Sequence, residues 1–514
     1  MFWRTFHVAY GFDDIAHLHA LACLRSGEIS FTTWFFHQHN EHIVPLLRLY
    51  FLAATKISGL SSWAMHVMIF LTYVAAAFAC AWIFFSLTRS RLGAFLAGTI
   101  YGGAGGFSGG VVWQPTVGQF SVAGTPLIFA VAILVSPCAR KWWADVAVLI
   151  LIVVASMGMG ATAIAALSIP LYLVLGRPES ISVRRRQLII GFSLALVAAI
   201  LMGTRWLMSA HGVHGPAFAF QGTYDGLFLV FTAPGRFVLA WTPFGGLGLR
   251  WDLPASAVGL VLFVLSWRWV PRALRTLLFA LWVGDGLLVF LIGMGRYKIA
   301  TYLDLFSTDR YYYFFLLPLA LQAAAALAHM TRRLLQGASP TRKTAIACVL
   351  ACLMMAALVM SHIRLGETML WWVIDQHQLD FREAKVLAKI VKATAAEQNL
   401  HLADGPIRFP GTLNEHLGFS AIIYTQFPSG LPGVVWNLSA TPTASVGWPY
   451  HVAPISNADA AVQNQIFDEW SKKINRPPYT CVIGGNVRDV LPVKSCAEAA
   501  SMPNPPLAPV TPFN

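Results

Sequence analysis

Long uncharged runs separated by short basic turns occupy most of the first two thirds of the chain. Three runs lack Asp, Glu, Lys and Arg altogether: residues 61–88, 92–139 and 146–176. One span takes about 20 apolar residues, so the second run is long enough for two, separated by the glycine-rich stretch 102–106 and a loop holding Trp113. The third run breaks at Gly158 and Gly160 and also gives two spans.

Five further runs fit single spans: 188–206, 254–270, 273–294, 309–331 and 343–362. The pattern therefore predicts an α-helical polytopic membrane protein with about ten spans. The spans define a transmembrane helical domain at 61–362, preceded by a first loop with amphipathic helices at 1–60.

The basic residues lie mainly in alternate loops. The first set of loops carries Arg89, Arg91, Arg140, Lys141, Arg177, Arg184, Arg185, Arg186, Arg268, Arg272, Arg275, Arg332, Arg333, Arg342 and Lys343; the opposite loops carry only Arg205, Arg236, Arg250, Arg296, Lys298 and Arg310. Positive charge stays in the cytoplasm. This predicts that residues 1–60, the loops 207–253 and 295–309, and the segment from 363 onward lie outside. Translocation of 1–60 needs help, and we favour a missing upstream span over unaided crossing.

The segment 363–514 is no longer membrane-like. Residues 380–398 have the apolar spacing of an amphipathic helix, and short apolar runs follow between frequent Pro and Gly residues. We predict a small extracytoplasmic α+β domain. Cys481 and Cys496 are expected to form a disulfide there, the alternative being two unpaired buried thiols.

Composition agrees with a membrane location. The 514 residues are 57% hydrophobic and only 11% charged, against about 25% charged in soluble domains. The net charge of +13 follows from the basic loops. Because no basic patch interleaves with aromatic residues elsewhere, nucleic-acid binding is not expected.

The candidate chemistry begins with two adjacent acids. On a helix Asp13 and His17 are four residues apart and Asp14 and His17 three apart, so they share a face. A carboxylate at this position can act as general base toward a hydroxyl. The simpler interpretation is a helix cap after Gly11 and Phe12, and the local pattern alone favours the cap two to one.

A resemblance changes that weighting. The acidic pair is followed by "HLHALACLRSGE", an aromatic stretch, "HNEHIVPLLRLYFLAATKISGLSSWAMHV", an uncharged span, a basic turn and "RLGAFLAGTIYG". This order resembles the front of the polyprenyl-phosphate-sugar-dependent glycosyltransferases of the GT-C class. The similar types are the protein O-mannosyltransferases and aminoarabinose transferases of glycosyltransferase family 39. The resemblance covers about the first 110 residues well, the later spans only in helix count, and the tail not at all.

The resemblance implies a GT-C fold and roles for several residues. Asp13 matches the family's catalytic acid and Asp14 its neighbour. Pro45 and Leu46 stand where the family has His-Pro-Pro-Leu. This sequence departs from the family's pattern at two places. The second acid is Asp14, where the mannosyltransferases usually have Glu, and the element before Leu46 reads "HNEHIVP" where the family has His-Pro-Pro. The second departure leaves the substrate class open.

A histidine-rich cluster precedes Pro45. His37, His39, Glu41 and His42 are residue types that ligate divalent metals, but their spacing matches no known ligand pattern. Hydrogen bonding is the commoner role, and we expect His39, Glu41 and His42, with His17, to contact substrate. No metal and no other cofactor is favoured.

Two more places carry candidate residues. Arg310 and Tyr311 stand where an outer loop enters a span, as an Arg-Tyr pair does in many GT-C proteins. Arg310, with Arg296 and Lys298 as weaker candidates, can hold a lipid phosphate; the alternative is an interfacial anchor. Asp285 falls mid-span, which makes it a functional candidate or a partner of a neighbouring helix.

We therefore predict an enzyme of the bacterial inner membrane, a hexosyl- or pentosyltransferase. It would move a sugar from a polyprenyl-phosphate carrier to a lipid or glycan acceptor on the external face. The leading alternative is a non-catalytic transporter or flippase of lipid-linked glycans. A transporter should place polar groups at the bilayer midplane, whereas most polar residues here cluster outside the spans. A third possibility is an assembly factor that works through the tail.

Overall fold

The structure is a computed structural model. It describes residues 13–26, 29–36, 38–39, 42–59, 61–104, 118–178, 181–210, 222–239, 241, 249–295, 311–365, 407–408 and 435–436. Helices make up nearly all of these ranges. The helices of the first half are α1 (Asp13–Ser26), α2 (Phe31–Phe36), α3 (Pro45–Ser58), α4 (Trp63–Thr88), α5 (Arg91–Gly103), α6 (Gln119–Val135), α7 (Trp142–Gly158), α8 (Thr162–Ala165) and α9 (Ser168–Gly176).

The second half continues in the same style. Its helices are α10 (Val183–Ala210), α11 (Gly222–Leu239), α12 (Leu249–Ser266), α13 (Arg272–Gly295), α14 (Leu316–Leu335) and α15 (Pro340–Leu365). Short 3-10 turns lie at Pro137–Arg140, Trp267–Trp269 and Tyr313–Phe315. Four two-residue strands form an antiparallel pair, β1 (Gln38–His39) with β2 (His42–Ile43), and a parallel pair, β3 (Ile407–Arg408) with β4 (Val435–Trp436).

The prediction of a helical membrane protein with several spans is confirmed. Five helices of the described part are long and apolar enough to cross a bilayer: Trp63–Thr88, Val183–Leu207, Arg272–Met294, Tyr313–Leu335 and Pro340–Val359. Shorter apolar helices lie at Gln119–Val135, Trp142–Gly158, Thr162–Gly176 and Ser256–Trp269. The count of ten spans stays a prediction.

The interruptions expected inside the two long uncharged runs are present. The run 92–139 divides after α5, which ends at Gly103, and α6 begins at Gln119. The run 146–176 divides between Gly158, the last residue of α7, and Thr162, the first residue of α8. The loop expected around Trp113 lies outside the described residues.

The basic turn between α4 and α5 is closed by its own residues. Arg89 adopts the left-handed conformation with φ 55°, which ends α4. Ser90 then caps α5, since its hydroxyl oxygen accepts a hydrogen bond from the backbone N–H of Gly93 at 3.1 Å. A serine N-cap satisfies one of the first-turn donors that otherwise lack a partner.

The prediction of one long loop at 207–253 is wrong in part. The structure has helix α10 continuing to Ala210, the 18-residue helix α11 inside this range, and the start of α12 at Leu249. Sequence patterning missed α11 because Asp225, Arg236 and Pro234 interrupt its apolar run. A proline in a helix interior normally removes a backbone hydrogen bond, and tertiary packing has overridden that preference.

Glycine residues allow α11 to pack closely against α12 and α13. A Cβ added at Gly259 of α12 would collide with the backbone of Gly235 of α11, and one added at Gly293 of α13 would lie 2.6 Å from the Cα of Gly226. Any larger residue would force the backbones apart. Small residues at such crossings are typical of packing between membrane helices, where close backbone contact supplies much of the attraction.

The chain divides into two compact units. The first unit comprises Met1–Phe6, Gln38–Tyr50 and Met65–Trp372, and the second comprises His7–His37, Phe51–Ala64 and Val373–Asn514. The domain limits 1–60, 61–362 and 363–514 stay predictions. Beyond Leu365 the structure describes only β3 and β4, so the α+β domain, the helix at 380–398 and the Cys481–Cys496 disulfide lie outside the described residues.

Candidate functional site

Helix α1 in the second unit carries the acidic motif. The helix begins at Asp13, as expected for the start of the motif. Asp14 is 0% exposed and His17 is 1% exposed. The His17 imidazole stacks on the Phe51 ring, with the centroids 4.9 Å apart. Because residues three apart are neighbours on a helix surface, the structure buries a carboxyl and an imidazole on one face of α1.

Other residues of α1 fix its orientation within the second unit. Leu18 and Leu21, three residues apart and so neighbours on the helix surface, are both buried. Arg25, in the last turn, donates from Nη2 to the Thr55 hydroxyl oxygen at 2.7 Å. The two contacts, His17 with Phe51 and Arg25 with Thr55, fix both ends of α1 against the second half of α3.

Several predicted site residues are described only in part or not at all. For Asp13, His39 and His42 the structure gives the backbone element but not the side chain, and His37, Glu41, Arg296, Lys298 and Arg310 lie outside the described residues. Among the residues that are described, no three His, Cys, Asp or Glu side chains come close enough together to hold a metal ion.

Arg48, in the first turns of α3 in the first unit, is a candidate that sequence analysis missed. Its side chain is only 2% exposed. Burial lowers the pKa of the Arg48 guanidinium to about 9, because loss of water disfavours the charged form. The group still carries its charge at neutral pH. The sequence held a signal: Val44, Leu47 and Phe51 form an apolar stripe, and Arg48 interrupts it.

Three consecutive tyrosines at the entry to α14, Tyr311, Tyr312 and Tyr313, form a second candidate region in the first unit. We call these three residues the tyrosine segment. Tyr311, Tyr312 and Tyr313 are 3%, 0% and 2% exposed. Successive residues on a helix point about 100° apart, so each ring meets a different neighbour. Tyr311 packs edge-on against Phe120 of α6, with the ring centroids 5.9 Å apart.

Tyr313 joins a pair of buried hydroxyl groups. Its hydroxyl lies 2.9 Å from that of Tyr101 on α5. The Tyr73 hydroxyl on α4 donates to the backbone carbonyl of Tyr101. A buried tyrosine normally finds a partner for its polar end, and here the partners come from helices far apart in the chain.

Tyr312 contacts the helix that sequence analysis had placed in a loop. Its hydroxyl lies 2.7 Å from the Thr232 hydroxyl. The Arg236 guanidinium carbon lies 5.7 Å from the centre of the Tyr312 ring, within the range of a cation–π interaction. Helix α11 therefore supplies both a hydroxyl and a buried cation to the tyrosine segment.

A small cavity lies beside Tyr313. Its volume is ≈ 30 Å³. Four polar side chains line it, those of Tyr101, Ser168, Asp285 and Tyr313, together with apolar groups that include Phe314. Asp285 is buried. The structure thus places the mid-span acid beside the tyrosine pair.

No family model and no curated protein matches the sequence. Among solved structures, the chain is similar to ArnT from Cupriavidus metallidurans, both in the apo state and bound to undecaprenyl phosphate. In each case the identity is 13%, the TM-score is 0.49, and the match covers 83% of this chain and 82% of ArnT. ArnT is an aminoarabinose transferase, one of the types that the front of the sequence resembles. At this identity and TM-score the likeness assigns no activity and no residue.

Proposed function

We propose that the chain is a membrane glycosyltransferase that moves a sugar from a polyprenyl-phosphate carrier to a lipid or glycan acceptor on the external face. The proposal combines the sequence resemblance with one observation of the structure. That observation is the complete burial of Asp14 next to His17 on the first turns of α1.

Burial separates the two interpretations of the acidic pair. A carboxylate that only caps a surface helix keeps its contact with water, and ionisable groups are almost never fully buried unless they are paired. Burying a carboxyl group and an imidazole costs free energy unless both groups are hydrogen-bonded or paired, and a cap on a surface helix requires no such burial. This favours a functional acidic motif over a simple cap.

The proposed reaction has the acceptor as nucleophile. Asp13 takes the proton of the acceptor hydroxyl, and the acceptor oxygen forms a bond to the anomeric carbon of the sugar. The bond between that carbon and the phosphate oxygen breaks, and polyprenyl phosphate leaves with the electron pair. A negative charge thus develops on the phosphate, and a cation there stabilises the transition state. Arg310 and Arg296 are proposed for this role, Tyr311 and His17 for contacts with the substrate, and His39, Glu41 and His42 for contacts with the sugar.

The leading alternative is a transporter of lipid-linked glycans. One observation favours it: Asp285 is buried within a span and lines a cavity with two tyrosines, and intramembrane ionisable groups often mark transport paths. The cavity of ≈ 30 Å³ is far smaller than the ≈ 300–1,000 Å³ of a typical ligand site. It has no room for a sugar, so we place the transporter second.

Transfer of a radiolabelled sugar from a polyprenyl-phosphate donor by the purified full-length protein tests the proposal. We expect labelled acceptor lipid or glycan in the product. Movement of the donor across proteoliposomes without any labelled acceptor would support the transporter instead.

Labelling with a membrane-impermeant thiol reagent tests the proposed external face. Ser26→Cys and Ser429→Cys should both react in intact cells, because residues 1–60 and the segment from 363 are proposed to lie outside. Reaction at only one of the two positions would contradict this topology.

A further inference from the structure

The cavity between α6, α9, α13 and the α14 entry has the properties of a hydrated site. An apolar cavity of this size stays empty, whereas a cavity holds water when it is roomy enough and offers two to four polar partners. About 10–15 Å³ of such space accommodates one water molecule. The ≈ 30 Å³ here therefore has room for about two.

Polar side chains from three helices and the α14 entry line this cavity. Asp285 on α13 and Ser168 on α9 line the cavity together with the hydroxyl-bonded pair Tyr101 and Tyr313. The contact between α13 and the α9 region is close, since a Cβ added at Gly284 would lie 2.9 Å from the Ser168 Cβ. Asp285 therefore lies on a helix wall that packs firmly beside Ser168.

We infer that the cavity holds two ordered water molecules that link Asp285 and Ser168 to the hydroxyl groups of Tyr101 and Tyr313. Asp285 is then a positioning residue rather than a catalytic one. Through the water it fixes Tyr313, and Tyr313 begins the membrane helix directly after Tyr311 and Tyr312. The water site itself is independent of the proposed function. Its effect on donor binding rests on that function, because Arg310 precedes the same segment.

Radiolytic footprinting tests for the water directly. Hydroxyl radicals formed from ordered water oxidise the side chains next to it. Phe314 lines the cavity and its neighbour Phe315 does not, although both are buried. We expect oxidation of Tyr313 and Phe314 in the full-length protein and little at Phe315. Equal, low oxidation of the two phenylalanines would show a dry cavity and overturn the inference.

Two variants of Asp285 test whether this residue holds the water. Asp285→Leu fills the site and removes its polar wall, so oxidation of Phe314 should fall to the level of Phe315. Asp285→Asn keeps the size and the hydrogen-bonding capacity, so the labelling should remain. Labelling that persists in Asp285→Leu would show that Asp285 does not hold the water.

A double-mutant cycle tests the link to Tyr313 without any assay of activity. Asp285→Leu and Tyr313→Phe should be non-additive, with a coupling of at least about twofold in the unfolding equilibrium, as is usual for groups in one hydrogen-bond network. Tyr224→Phe, at an exposed tyrosine, should combine additively with Asp285→Leu. Additive behaviour of the first pair would refute the link.

The effect on donor binding separates this inference from the proposed function. If both hold, Asp285→Leu raises the KM for the donor and leaves kcat unchanged, because Asp285 contacts no reacting atom, while Asp285→Asn, which keeps the water, leaves both unchanged. Footprinting of a hydrated cavity in a protein without transferase activity would disprove the proposed function and leave the water site intact. A fall in kcat with unchanged KM would contradict the positioning role.

Discussion

Helix α1 and the tyrosine segment at the entry to α14 both bury polar groups, but they assemble them differently. In α1 the candidate groups Asp13, Asp14 and His17 lie within about one turn of the chain. At the α14 entry, Tyr313 meets Tyr101 from 212 residues away and Tyr312 meets Thr232 from 80 residues away. The first cluster is set by helix periodicity and the second by the packing of several helices.

The difference indicates different roles. A cluster within one helix turn joins fewer helices, which suits groups that act on a substrate. A network that joins α5, α11 and the α14 entry contributes to holding these helices together. Changes in α1 should therefore affect activity more than stability, and changes in the tyrosine segment should do the reverse.

The largest effect is expected at Asp13. Asp13→Asn should reduce sugar transfer by a factor of about 100 to 10,000, because a general base loses its proton acceptor, while protein abundance and donor binding stay nearly unchanged. Transfer by the purified variant measures this. Asp14→Asn should be milder, and Asp145→Asn, at a carboxylate of helix α7 that pairs with Arg185, serves as the control for loss of a carboxylate. Wild-type turnover by Asp13→Asn would show that Asp13 is not the general base. The contrast between an activity role for α1 and a stability role for the tyrosine segment would then be lost.

Arg310 should matter for binding rather than for proton transfer. Arg310→Ala is expected to weaken donor binding about tenfold to a hundredfold, the usual effect of losing hydrogen bonds to a charged group. Equilibrium binding of polyprenyl phosphate to the purified variant measures it. Arg205→Ala, at an exposed arginine of α10, should bind normally; equal loss in both variants would show a non-specific charge effect.

A third prediction concerns the helix that holds Tyr312. Gly259→Ala should destabilise the protein by about 1–3 kcal/mol, since the added methyl collides with the backbone of α11. Thermal unfolding in detergent measures this change. Gly203→Ala is the matched control, because a Cβ there meets nothing within 4 Å and alanine favours a helix by up to about 1 kcal/mol. Equal melting temperatures of the two variants would argue against close packing of α11.

The smallest effect is expected for single hydroxyl groups of the tyrosine segment. Tyr313→Phe should lower stability by about 1 kcal/mol, because the Tyr101 hydroxyl loses its partner. Adding Tyr101→Phe should cost little more, since the Tyr101 hydroxyl that lost its partner is then removed as well. Unfolding midpoints of the single and double variants measure this. A double variant whose loss equals the sum of two independent losses would show that the two hydroxyl groups do not act as a pair.

The positions of most helices were predictable from the sequence. Predominantly apolar runs with a span's length are buried in lipid or protein as helices, so α4, α10, α13 and α15 follow from composition alone. The start of α1 at Asp13 and the burial of Leu18 and Leu21 follow from helical spacing in the same way. These features depend on neighbours in the chain, which a sequence pattern records directly.

Tertiary structure decided the rest. Helix α11 has a proline in its interior, and the close glycine contacts with α12 and α13 show how packing compensates for it. The burial of Arg48 and the meeting of Asp285 with Tyr101 and Tyr313 depend on helices that are distant in sequence. A local pattern gives the length and the apolar face of a helix. Which partner that face meets is settled by the fit of side chains between helices, and that fit exists only once the whole chain is folded.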